Sequence, residues 1–159
     1  MGGSRAMPPA ETNAAPLPSR PLGETVGSLL AAWLIPGLGH ILHRDVLRGI
    51  FQFVLIQVTF GLGLLLHGAV LWPAYNPLDW GANAMNILTF VIQLANGLAA
   101  LLCLAVSQAF PGWAEATRAH ALFELGSVYL LISGAMNSFT VGALFDRHLR
   151  WGRAPLPPL

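Results

Sequence analysis

From Gly49 to Trp72 the chain runs 24 residues without an Asp, Glu, Lys or Arg. As a helix that stretch is about 36 Å long, enough to cross a hydrocarbon core of roughly 30 Å. Two further long apolar runs follow, 86–110 and 122–145, and a shorter one, 25–42, precedes it. The whole chain is only 9% charged and is 55% hydrophobic, whereas soluble domains carry roughly 25% charged residues. Too few charges remain to cover a surface in water. The pattern predicts an all-α integral membrane helical bundle of about four transmembrane segments, with the lipid bilayer as its solvent.

Segment 25–42 is the exception in length. Its 18 residues rise about 27 Å, just short of the core. Pro36 removes a backbone donor and crowds the carbonyl of Ala32, and Gly37 and Gly39 loosen the chain further. Two readings compete: a short kinked span, or a re-entrant helix that turns back at the Pro-Gly break. Irregular backbone at membrane depth is tolerated only under a cover of protein, so other helices should pack over this stretch. The charged run His43-Arg44-Asp45-Val46-Leu47-Arg48 then ties it tightly to segment 49–72 as a helical hairpin.

Residues 73–85 read as a loop, with Trp72, Tyr75 and Trp80 suited to a membrane interface. Residues 1–24, rich in Pro, Ala and Gly, are expected to be a disordered tail rather than a signal peptide. A Pro-rich tail, 151–159, closes the chain and leaves 25–150 as one membrane domain. With a net charge of +1 there is no basic field for nucleic acid. If all four segments span, Arg20, Arg147, Arg150 and Arg153 face Arg44, Arg48 and Arg118 across the bilayer. That narrow margin places both termini in the cytoplasm under the positive-inside rule.

Candidate sites are few. His40, His43 and Asp45 come nearest to a metal set, but the further ligands that a metal needs have no counterpart elsewhere. Glu124, one turn into the last segment, is expected at a helix start, where the helix dipole favours it. The alternative is a polar core in which Glu124 meets Gln93, Asn96 or Asn137. Without Glu124, those amides are expected to make interhelical hydrogen bonds. Gly134, Ser138 and Gly142, spaced by four, form a small-residue stripe for close helix approach, which Gly126 extends further back with Leu130 interrupting it. No nucleophile–base motif, nucleotide loop or cofactor signature is present, so no enzymatic activity or cofactor is expected.

With these residues in view, the chain resembles an uncharacterised family of small bacterial membrane proteins, a domain of unknown function. The resemblance rests on Pro36-Gly37-Leu38-Gly39-His40 with the helices on either side, on Gln93–Leu98, on Phe123–Tyr129 and on Gly134–Asn137. The N-terminal hairpin is also distantly similar to the two-helix transmembrane module. The resemblance implies a bacterial membrane location, taken to be the inner membrane, and supplies no catalytic residue. The expected role is a structural or interaction component of a membrane assembly, as a homo-oligomer or with a membrane protein partner. The alternative is a small transporter or channel component using the Pro36-Gly37 break with Asn96, Glu124 and Asn137.

Overall fold

The computed structural model describes residues 22–151. The tails expected at 1–24 and 151–159 lie almost wholly outside the described residues. Among the described residues the regular structure is all helical: α1 (Leu22–Leu34), α2 (Leu38–Leu42), α3 (Val46–Leu65), α4 (Trp80–Leu94), α5 (Leu98–Ala109), α6 (Pro111–Arg118) and α7 (Phe123–Trp151).

The frame is the antiparallel pair α3 and α7. Each is long and apolar enough to cross a membrane, and the sharply bent pair α5 and α6 gives at most a third crossing. At one end of the pair Asp45 meets Arg147 at 2.8 Å. At the other end, Gly126 packs directly on the backbone of Gly63 and Gly68, so tightly that a side chain there would collide with both. These are called below the Asp45 end and the His67 end. Outward faces of the frame remain apolar: Phe51, Val54, Val58, Val128 and Phe139 are all exposed, as expected of a surface facing lipid rather than water.

The remaining helices form two hairpins. Gly39 of α2 packs against Ser28 and Ala32 of α1 and against Leu144 of α7, near the Asp45 end. The last turn of α1 lies deeper, with the Trp33 carbonyl at Asn137. Thus α1 enters from the Asp45 end, stops at the height of Asn137 and returns as α2, so 25–42 folds as a half-height hairpin. The second hairpin enters from the opposite end. Helix α4 runs parallel to α7, with Ile92 against Gly134 and Ala95 against Asn137. From there α5 climbs back, and its Ala100 and Cys103 join Phe60, Val70 and Leu130 in the core on the His67 side. Helix α6 then turns off α5 by 106°.

Three expected boundaries change. The segment expected at 49–72 ends as a helix at Leu65. His67 takes a left-handed φ of 60°, and the bonds Gly68 N–H to Gly63 O (2.9 Å) and His67 N–H to Leu64 O (3.0 Å) close a Schellman motif. The expected continuous span 86–110 is two helices broken at Ala95-Asn96-Gly97. Finally, the loop expected at 73–85 gives way to α4 at Trp80, because the Asp79 carboxylate accepts from the Ala82 N–H at 2.9 Å and caps the helix.

Candidate functional site at the hairpin junction

The two hairpin tips meet halfway along α7. Tip one is Ile35-Pro36-Gly37, tip two Ala95-Asn96-Gly97. Gly37 and Gly97 have φ of 80° and 63°, a region that costs other residues about 1–2 kcal/mol. Glycine is required at Gly97 for a second reason: a Cβ there would run into the Trp33 and Leu34 carbonyls. At Gly37 it would run into the carbonyl of Gly49 in α3. The tips are therefore in backbone contact with their neighbours.

Asn137 joins them. Its Nδ2 donates to the Trp33 carbonyl at 3.1 Å and to the Ala95 carbonyl at 2.7 Å. Both oxygens belong to final turns of half-helices and have no successor N–H in a continued helix. One fully buried amide thus satisfies two broken helices that enter from opposite ends. Its own Oδ1 has no partner within the protein. Neither has either amide atom of Asn96, which is also fully buried. More than nine in ten buried polar groups in proteins find a partner, so these three atoms are exceptions, as are His40 Nδ1, Gln52 Oε1 and Ser127 Oγ elsewhere in the bundle.

The neighbourhood carries no formal charge. From Gly126 to Phe145, α7 has no Asp, Glu, Lys or Arg, and neither do α4 and α5. Glu124 is exposed in the first turn of α7, about 20 Å along the axis from Asn137. The expected alternative in which Glu124 meets Gln93, Asn96 or Asn137 is therefore corrected: the helix rise keeps it at the His67 end. Gln93 donates instead to the Ser127 carbonyl at 3.3 Å.

The small-residue stripe divides. Gly134 is buried against the Ile92 carbonyl of α4, while Ser138 is exposed and bonds back to the Gly134 carbonyl at 3.0 Å. Gly142 has open space where a Cβ would stand. At the Asp45 end, His40 is buried with Nδ1 unpartnered. His43 Nδ1 lies 2.8 Å from the Gly39 carbonyl, so its ring secures the α2 turn. The Arg147 guanidinium, by its hydrogen bond, holds the Asp45 carboxyl below its ordinary value. A pairing that the sequence reading missed is His67 with His120, whose ring centroids lie 3.7 Å apart; the order of elements alone gives no sign of it.

A family described as a family of unknown function, DUF6677, matches residues 27–152. The chain belongs to that family. The match takes in both hairpins and both long helices. No curated protein and no solved structure matches the chain.

Proposed function

We propose that the chain is a multi-pass protein of the bacterial inner membrane and that it serves as a channel or transporter component, with the hairpin junction as the narrowest part of its path. One observation carries this reading: Asn137 ties together two half-membrane hairpins from opposite ends beside buried amide atoms that have no protein partner. Broken helices near mid-membrane serve solutes and ions in transporters. Continuous helices would keep those backbone groups bonded within each helix, whereas here two breaks at the same height depend on one side chain, Asn137, for their freed carbonyls.

The same topology sharpens orientation. With two crossings and two re-entrant hairpins, α1 begins and α7 ends on one side. Of the described arginines, Arg44, Arg48, Arg147 and Arg150 lie on that side and Arg118 on the other. Four to one supports a cytoplasmic Asp45 end under the positive-inside rule.

Thiol labelling in sealed vesicles tests the reading. In a Cys103→Ala background, Gly23→Cys and Arg44→Cys should react from one side, Asn76→Cys and Gly112→Cys from the other. Labelling of positions 23 and 44 from opposite sides would make the first hairpin a span and remove the basis for the path.

A second reading, self-association, is favoured by Gly142 and Ser138, which remain exposed on the outer face of α7. It is compatible with the first: a small bundle of this kind would function as several copies. Gly142→Leu should then lower the oligomeric state in detergent and in lipid.

A further inference from the structure

Of His40, His43, His67 and His120, only His40 is buried, at 4% exposure. It sits where hairpin one is joined to the frame. Its carbonyl accepts from the N–H groups of His43 and Asp45, at 3.1 and 3.0 Å, and so holds the turn that leads into α3. The residue before it, Gly39, packs against Ala32 of α1 and Leu144 of α7. The residue after it, Ile41, packs against Gly49 of α3. The short helix α2 is thus wedged among α1, α3 and α7, with His40 at its middle.

A neutral imidazole fits this place and an imidazolium does not. In the cation both ring nitrogens are donors, and the buried Nδ1 of His40 has no acceptor. The charges around the ring add to the cost. Arg48 of α3 and Arg147 of α7 oppose a further positive charge, as does His43 of α2 itself. The one carboxylate that favours the cation, Asp45, is already bonded to Arg147 at 2.8 Å. From α1 the only acid is Glu24, exposed in its first turn, and Arg44 and Asp146 are exposed as well. His40 lies outside the spanning helices α3 and α7. Burial first, and Arg48 second, hold its pKa below the ordinary value.

We propose that His40 is a proton-sensitive latch, by which acid on the Asp45 side frees hairpin one from α3 and α7. The proton need not enter the closed bundle. Each time α2 lifts, the ring reaches water, and below its ordinary pKa of about 6.5 it takes a proton there. The closed position rejects that proton, so the open form accumulates. The closed hairpin therefore keeps its full stability above about pH 6.5 and loses it progressively as the pH falls from there towards the lowered folded value. Gly97 rests on the Trp33 and Leu34 carbonyls, so lifting hairpin one also removes the support of tip two. An acid load on the cytoplasmic side would loosen the whole junction. The latch stands on the packing of α2 and does not depend on the permeation reading.

The test uses the full chain in detergent. Leu144, which Gly39 covers, is made the reporter as Leu144→Cys in a Cys103→Ala background. Its alkylation rate is measured about one pH unit above and about one below the ordinary imidazole value of about 6.5. The Asp45 carboxyl, held below its own ordinary value, does not titrate in that window. Comparing chains with and without His40→Gln cancels the pH dependence of the thiol. The acid-to-neutral ratio of rates should be up to about tenfold larger with His40 than with His40→Gln, the limit that one pH unit of linked protonation sets. Arg48→Gln should shrink that ratio, and His120→Gln, at the other end of the frame, should leave it unchanged. Without the reporter, the melting temperature should fall across the same window in the wild type and hold in His40→Gln. Circular dichroism and gel filtration at neutral pH check folding, and His40→Asn is the second variant. An equal acid response in the folded His40→Gln or His40→Asn protein would overturn the role of His40. A wild-type hairpin equally protected at both pH values would overturn the latch itself.

Discussion

Hairpin one turns at Ile35-Pro36-Gly37, where a proline has no N–H to give. Hairpin two turns at Ala95-Asn96-Gly97, where every N–H is still bonded, to the carbonyls of Val91, Ile92, Gln93 and Leu94. The first break is written locally, in a residue that cannot continue a helix. The second is held from a distance. Its glycine is fitted against Trp33 and Leu34, and its terminal carbonyl is taken by a side chain 42 residues away. Both tips nevertheless share a framework, Leu34-x-x-Gly37-Leu38 and Leu94-x-x-Gly97-Leu98, and both turn on a glycine at positive φ. Two ways of interrupting a helix therefore deliver the same geometry, and only the local one announces itself in composition.

The strongest way to break this comparison is to load the two glycines. Gly97→Val and Gly37→Val each combine a left-handed backbone with a collision against backbone, and should cost about 3 kcal/mol or more apiece. Gly142→Val, which meets open space, should leave the unfolding midpoint in detergent almost unmoved. If Gly97→Val were as mild as Gly142→Val, tip two would not be docked on tip one.

Asn137→Ala comes next. It leaves two buried carbonyls without a donor, at about 1–3 kcal/mol each, and should loosen both tips together. Susceptibility to limited proteolysis and thiol reactivity near residues 35 and 96 should rise in parallel. A rise at only one tip would show that the two hairpins are held independently.

The smallest effect belongs to the Asp45–Arg147 pair, which closes the frame beside hairpin one only. Its members are partly exposed, so Asp45→Asn should lower the melting temperature slightly at neutral pH and less at high salt. The carboxyl titrates lower in the folded chain than in the unfolded one. Its contribution is therefore complete above the unfolded value of about 3.9 and fades as the pH falls through the lowered folded value. Melting curves of wild type and variant should converge in acid; a gap that persists there would mean that Asp45 acts through packing.

Much of this architecture was legible in the residues. Uncharged length identified α3 and α7, and Pro36 with Gly37 identified the first break. Asn96-Gly97 was visible too, but a polar residue and a glycine inside 25 uncharged residues are compatible with a continuous helix, since each costs a membrane helix little by itself. What stops the helix is the tertiary environment, a carbonyl of Trp33 and an amide of Asn137, and no window along the sequence contains both. Glu124 was placed at a helix start, as found, yet its separation from the other polar residues became plain only once α7 was laid out as a rod. The stripe at Gly134, Ser138 and Gly142 was recognised by spacing, but spacing does not say which member a neighbour covers. Gly126 and Gly63 make the close frame contact instead.

The bond from Asn137 to Trp33 spans 104 residues, and this imposes an order of events during synthesis. Helices α1 and α2 leave the ribosome long before α7 exists. Until then the Trp33 carbonyl has no donor from Asn137, and the first hairpin has only α3 and the tip of the second hairpin to rest against. Helix α7, made after the other described helices, is the one that locks the first, so a chain stalled before Asn137 holds two unsecured hairpins, and the finished junction is itself the sign that translation has passed Asn137.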